Sequence, residues 1–280
     1  MASAARRRID DALVLEAASR LTERDRYLSR LLLDHQVLTT AQVQEVCFDS
    51  ERRTQLRLNQ LYRLRVLDRF RPLVAKGSAP HHWMLDGLGA AVLAAERGLE
   101  VGDLPWRRDK AIALTTSAQL GHLVGVNGFF CSLIAATRRR PDAELVLWWS
   151  ARRCAGAWGS LVRPDGYGVW AEGGRRVAFC FEHDTGTEAL SRLSDKPGRY
   201  ARLFAAGGRR IWVLFSFPGP GREAEARRVL AHPGVPVATA VLRPGGSPAE
   251  AVWLPVGEEG PRRRLVDLGD PGHSAISSAP

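Results

Sequence analysis

Five short apolar runs between residues 144 and 242 constrain the fold more than any other feature of this chain: "ELVLWWS" (144–150), "GYGVWA" (166–171), "RVAFCFEHD" (176–184), "RIWVLFSF" (210–217) and "VPVATAVL" (235–242). Their length and apolar content are those of strands. A long apolar stretch at 116–138, closed by "RRR" at 138–140, reads as a helix whose C-terminal end is favourably charged. Two further helices fit at about 186–206 and 221–231. The order helix, three strands, helix, strand, helix, strand predicts a mixed sheet with helices packed on it.

The residues before this region read differently. Thr22 and Asp25 in "TERD" form a candidate capping box, after which Tyr27, Leu28, Leu31 and Leu32 recur at helical spacing. Thr39 and Gln42 form a second candidate box ahead of "AQVQEVCF". A third helix spans about 50–64 with Thr54, Leu58 and Leu61 on one face. "VLDRFRPLV" and "HHWML", separated by "AKGSAP", read as a β-hairpin, and "LDGLGAAVLAAE" as a helix after it. Three helices and a hairpin follow the order of a winged helix-turn-helix.

With Thr54, Leu58 and Leu61 turned inward, Arg52, Arg53, Asn59, Gln60 and Arg63 fall on the outer side of the third helix. These side chains suit base edges and phosphates, and Arg69, Arg71 and Lys76 of the hairpin suit a DNA backbone. The competing reading is a solvated arginine face used for protein contact. Charge favours DNA, because 40 basic residues against 30 acidic ones give a formal net charge of +10. Arginine supplies 37 of the 40, leaving only Lys76, Lys110 and Lys196 as lysines.

Gly and Pro in "RGLEVGDLPWRRDK" (97–110) interrupt the two periodic regions and mark a linker. The expected organisation is a basic arm and leading helix at 1–21, a winged helix-turn-helix DNA-binding domain at 22–96, a linker at 97–110, an α/β domain at 111–256 and a disordered tail at 257–280. No apolar run approaches the roughly 20 residues of a membrane span, and "MASAARRRIDD" lacks a signal-peptide core, so the expectation is a cytoplasmic protein with no membrane partner. Cys47, Cys131, Cys154 and Cys180 are scattered without a C-x-x-C pair, which argues against zinc and against a disulfide framework.

The acidic end of the third run carries the candidate chemistry. On a strand Glu182 and Asp184 share one face, with Phe181 and His183 on the other. Two carboxylates become a cation site when a third joins them, since clustered carboxylates repel until a hard cation offsets their charge. Asp165 in "VRPDGYGVW", across the "EGGRR" turn, is the nearest candidate. The competing reading takes Glu182, Asp184 and Lys196 as ordinary strand-end and helix charges, with Glu188 and Arg192 an i, i+4 pair.

"RPDG", a strand ending "FEHD" and a helix with "SDKPGRY" resemble the PD-(D/E)xK nuclease superfamily. Together with "SERRTQLRLNQLYRLRVLDRFRP", "HHWMLDGLGAAVL" and "GVNGFF", over about residues 22–242, the chain resembles the replication-relaxation proteins of actinobacterial and other Gram-positive plasmids and integrative elements. The resemblance implies an α+β protein, a winged helix-turn-helix followed by a restriction-endonuclease-like mixed-sheet domain, that binds double-stranded DNA of a mobile element. It implies a role in relaxing or processing plasmid DNA for replication or transfer, alongside relaxosome or replication proteins. It further implies Mg²⁺ held by Asp165, Glu182 and Asp184 for phosphodiester hydrolysis, with Lys196 stabilising charge on the phosphate. Asp184 stands where the superfamily places its motif lysine, so Lys196 on the following helix supplies the positive charge. Pro197 biases Lys196 away from helical geometry and predicts a break there. The alternative is a non-catalytic DNA-binding accessory factor or transcriptional regulator with an inactive nuclease-like domain.

Overall fold

Capping side chains start the first helices. The computed structural model describes residues 8–74, 77–207, 209–243 and 245–271. α1 (Asp11–Arg20) opens on Asp10, whose carboxylate accepts from the Leu13 N–H at 2.9 Å. α2 (Glu23–His35) opens on the reciprocal Thr22–Asp25 box. After β1 (Leu38–Thr39), α3 (Thr40–Cys47) opens on the Thr39–Gln42 box. α4 (Glu51–Arg63) opens on Ser50, whose hydroxyl accepts from the Arg53 N–H at 3.4 Å. Each such cap contributes about 1 kcal/mol by satisfying an otherwise orphaned donor.

β2 (Leu67–Phe70) and β3 (His82–Leu85) pair antiparallel, and β1 adds to the other side of β3, giving the order β1-β3-β2. Thr54, Leu58 and Leu61 form the buried stripe of α4, which packs against α3 and β2. α5 (Gly87–Ala95) follows, and glycine is required in it at Gly89: a Cβ there would lie 2.3 Å from the Val66 carbonyl oxygen. "GLG" is therefore a close-packing feature of a helix against the hairpin.

Residues 97–110, expected as a linker, fold into the N-terminal unit. They hold a 3₁₀ turn at Val101–Asp103, bury Leu104, and the Trp106 indole N–H donates to the Leu85 carbonyl at 3.1 Å. The apolar pair Leu104 and Trp106 outweighs the Gly/Pro signal. α6 (Arg108–Leu114) and the start of α7 (Leu120–Thr137) complete this unit, which ends at Asn127. The Asn127 amide donates to the His35 and Val37 carbonyls at 3.1 and 2.7 Å.

The second unit begins at Gly128. Its elements are β4 (Ala143–Ser150), α8 (Ala151–Trp158), β5 (Gly166–Glu172), β6 (Arg175–His183), α9 (Leu190–Ala205), β7 (Trp212–Phe217), α10 (Pro220–Val229), β8 (Val237–Val241) and β9 (Leu254–Pro255). The sheet runs β4-β5-β6-β7-β8-β9. β4 to β6 form an antiparallel meander, β6, β7 and β8 are parallel, and β9 is antiparallel on β8. The chain is thus α+β, with a small antiparallel sheet and a larger mixed one. Among the helices and strands of this unit, α8 and β9 are absent from the sequence reading, as are β1 and α6 of the first unit.

Strand alternation sends Phe179 and Phe181 to one face, where Phe129 stacks on Phe181 with centroids 3.8 Å apart and Trp253 meets Phe129 edge-on. Gly168 makes room for these rings, since a Cβ there would lie 2.6 Å from Phe179. The other face carries Cys180, Val213 and Phe215 under Leu193, Tyr200 and Leu203 of α9 and Ala226 and Leu230 of α10. α7 has a mean hydropathy of 1.5 over 18 residues, so by length and composition it could cross a membrane; 44% of it is buried, with Phe129, Phe130 and Leu133 in the core.

The segment from 257, expected as a disordered tail, is folded through Pro271. Trp253 bridges Arg263, a 3₁₀ turn at Leu265–Leu268 buries Leu265, Val266 and Leu268, and the Trp212 indole N–H donates to the Gly269 carbonyl at 3.0 Å. Its "RRR" is consumed internally: Arg262 pairs with buried Glu223 at 2.6 Å, Arg263 with Glu258 and Arg264 with buried Glu172. Arg262 and Arg264 are thus claimed by buried acids on α10 and β5, and Arg263 by an exposed acid of its own segment.

Candidate functional site

α4 presents its basic face as the helical spacing predicts. Arg52, Arg53, Gln60 and Arg63 are exposed and Asn59 is half-buried. The side chains of Arg52, Arg53 and Arg63 have no hydrogen bond or ion pair among the described residues. Arg57, on the flank, is turned inward to buried Asp25 with two bonds of 2.9 and 2.5 Å and reaches Gln60 at 2.8 Å. Burial pushes the Asp25 carboxyl up, but its bonds to Arg57 and Thr22 outweigh this and hold it below the usual aspartate range. Asp25 therefore completes the α2 capping box and ties α4 to α2 at once.

The hairpin residues divide. Arg69 donates to the Asn59 side-chain oxygen at 2.8 Å and lies 4.6 Å over the Tyr62 ring and 5.5 Å over Trp83, so it locks β2 to α4. Asn59 and Arg69, expected to face DNA, are thus engaged with each other. Arg71 is exposed and donates to the Ser78 hydroxyl at 3.1 Å across the hairpin. Lys76 lies outside the described residues. Of the adjacent histidines, His81 packs edge-on to Trp83 at 5.8 Å and buried His82 stacks on Phe70 at 5.3 Å. Burial lowers the pKa of both imidazoles.

In the second unit the carboxylates separate. Glu182, 4% exposed, accepts from the Tyr200 hydroxyl at 2.5 Å and from the Lys196 ammonium at 2.9 Å, both on α9. Lys196 also pairs with Glu188 at 2.9 Å. Burial first, then the charge of Asp165, raise the Glu182 carboxyl above the usual range, to about 7, against the pull of Lys196 and Tyr200. Burial disfavours the Lys196 charge, but Glu182 and Glu188 outweigh it and raise its pKa. Asp165 reaches the same strand end, where its carboxylate accepts from the His183 N–H at 2.8 Å.

Asp184 goes elsewhere. Arg222 of α10 binds it through Nε and Nη2 at 3.2 and 2.9 Å, and the Gly186 N–H closes a turn on its other oxygen. Arg222 also donates to the Glu188 carbonyl. Asp184 is paired with Arg222, and among the described residues no group of three His, Cys, Asp or Glu side chains is clustered so as to hold a metal ion. The donors around Asp184 fit an ion pair and not a shared cation. Asp165, Glu182 and Lys196 are what the fold brings together. The break expected at Pro197 is absent, because α9 runs through it from Leu190 to Ala205. Pro197 is buried on the same stripe as Leu193 and Tyr200, so ring packing offsets the hydrogen bond that proline forgoes.

Sequence reasoning missed Arg222, which lies 38 residues from Asp184 and has no local signal, and it paired Glu188 with Arg192 where the structure pairs it with Lys196. Tyr200 is fully buried, its hydroxyl donates to Glu182, and burial and Glu182 hold it well above its ordinary pKa. Burial likewise pushes the Cys154 thiol up to about 12.

No curated protein and no solved structure matches the chain. The sequence family described as replication-relaxation matches residues 30–211, well over half of its length. The chain belongs to the replication-relaxation family, which points to a part in replication.

Proposed function

We propose that this chain is a DNA-binding protein of a mobile genetic element that serves the relaxation or processing of plasmid DNA for replication or transfer, and that α4 grips double-stranded DNA. The observation that carries the reading is the state of the arginines on one helix: Arg57 is consumed by Asp25, whereas Arg52, Arg53 and Arg63 extend outward with no partner among the described residues. The order α2, β1, α3, α4, β2, β3 with the sheet order β1-β3-β2 supports a winged helix-turn-helix, in which α4 enters the major groove and the hairpin carrying Arg71 flanks the backbone. A formal charge of +10 supports the same partner. In this reading the protein works in the cytoplasm beside relaxosome or replication proteins, with the second unit as a platform.

Affinity for a duplex measured by fluorescence anisotropy between about 50 and 200 mM salt tests it. Two lost phosphate contacts in Arg53→Ala/Arg63→Ala reduce the slope of log affinity against log salt by about 1.8. An unchanged slope and affinity in that variant would overturn DNA contact by α4.

One observation favours a second reading, Mg²⁺-dependent cleavage by a PD-(D/E)xK-type centre: Lys196, displaced onto α9, does reach Glu182 beside Asp165. Lys196 is then the positive charge available to a phosphate. Supercoiled plasmid incubated with the protein and Mg²⁺ decides between the readings. Nicking that is lost in Glu182→Gln supports cleavage, and intact supercoils with undiminished DNA binding support the accessory role.

A further inference from the structure

The outer face of α4 carries a residue that phosphate binding leaves unused. Leu56 is 57% exposed. At 100° per residue, Leu56, Arg52 and Arg63 all fall within about 30° of the line opposite the buried stripe of Thr54, Leu58 and Leu61. Leu56 therefore stands at the crest of the helix, between two exposed arginines, with Gln60 one turn further on. Scattered exposed leucines are ordinary on a protein surface. A leucine on the crest of an otherwise polar, cationic helix face is different, because whatever approaches that face closely enough to meet Arg52 and Arg63 must also cover it.

Resting on the reading that α4 enters the major groove, the partner at this point is polyanionic, and a duplex offers one apolar group along its major-groove edge, the C5-methyl of thymine. We propose that Leu56 is a specificity-determining residue that packs on a thymine methyl, so that the bound DNA carries an A·T pair facing the centre of α4. The flanking arginines hold phosphates or guanine edges and position the helix, while Leu56 reads the methyl.

The test uses the full chain and a randomised duplex pool from which the wild type selects a binding sequence. Each thymidine in that sequence is then replaced singly by deoxyuridine, which removes only the methyl. One replacement is expected to weaken wild-type binding roughly four-fold, the worth of one buried methyl group. Leu56→Ala is expected to weaken binding to the thymidine duplex by at least as much and to be indifferent to deoxyuridine at that same position. Circular dichroism keeps the variant interpretable, since alanine preserves the helix. Wild-type binding insensitive to every deoxyuridine, or a Leu56→Ala protein that keeps the full discrimination, overturns the inference while leaving DNA binding by α4 intact. A Leu56→Ala variant that binds DNA normally but changes its sedimentation from dimer to monomer assigns Leu56 to a protein contact and also overturns it. Failure of the wild type to select any duplex removes the underlying reading itself.

Discussion

Lys196→Met isolates the balance at the centre of the second unit. Glu182 has a side chain 6% exposed and Lys196 one 25% exposed, joined at 2.9 Å. Removing one partner from a buried pair costs about 3–5 kcal/mol, because the other charge is left desolvated. The Tyr200 hydroxyl still donates to Glu182, which places the expected loss near about 3 kcal/mol at pH 8. The pH dependence follows from the direction of the shift. Folding raises the Glu182 pKa from 4.5 to about 7, so protonation favours the folded state; this contribution is full below pH 4.5 and is lost as pH rises through about 7. Without Lys196 the carboxylate is still less welcome, so the variant loses most at pH 8 and recovers most of the difference at pH 5, where the carboxyl holds a proton. In Glu182→Gln/Lys196→Met both charges are gone and the amide still accepts from Tyr200, and stability returns to within about 1 kcal/mol of wild type. Urea unfolding followed by tryptophan fluorescence reads this unit, because six of the eight tryptophans lie in residues 128–280. Equal losses for Lys196→Met at pH 5 and pH 8, or a double variant as unstable as the single, would refute the reasoning.

Asp25→Ala removes the carboxylate half of the α2 capping box and strands Arg57, for a loss of about 3 kcal/mol in thermal or chemical unfolding. Because folding lowers the Asp25 pKa, its contribution is present above pH 3.8 and disappears as pH falls below it, so wild type and variant converge in acid. Gly89→Ala places a Cβ 2.3 Å from the Val66 carbonyl oxygen, a backbone atom without room to yield, and is expected to lower stability by about 1–3 kcal/mol despite alanine's better helix propensity. A Gly89→Ala protein as stable as wild type would show that the α5–hairpin packing is looser than the geometry requires.

What was legible in the sequence was what is decided locally. The boxes at Thr22–Asp25 and Thr39–Gln42 form as read, since both partners lie within one turn. The stripe of Thr54, Leu58 and Leu61 is buried because helical period fixes which side chains leave water, and the five apolar runs are strands, as their length and apolar content indicate. The errors lie where distant residues compete with local signals. Residues 97–110 contain the turn formers of a linker, yet Trp106 finds Leu85; residues 257–271 have the composition of a tail, yet Arg262 and Arg264 find Glu223 and Glu172. Arg69 and Asn59 each suit a phosphate or a base, and only the cross-element distance says that they bind one another.

The strand end "FEHD" shows why shared facing is a weaker statement than shared site. Alternation aims Glu182 and Asp184 to the same side of the sheet, but that side is roofed by two helices, α9 over Glu182 and α10 over Asp184. Each helix brings its own cation, Lys196 and Arg222, and each buried carboxylate is claimed by the one above it. Pairing the two acids separately lessens the repulsion between them, while the charge of Asp165 still acts on Glu182. The two pairs are not equivalent, however. Asp184 is gripped by two guanidinium nitrogens and a backbone N–H, whereas Glu182 is held by the Tyr200 hydroxyl and by one ammonium that it shares with Glu188, and it has Asp165 for a neighbour. If any charge at this strand end exchanges its partner for a phosphate, the asymmetry selects Lys196, and retention of supercoils by the wild type in Mg²⁺ would leave Lys196 a strut between α9 and β6.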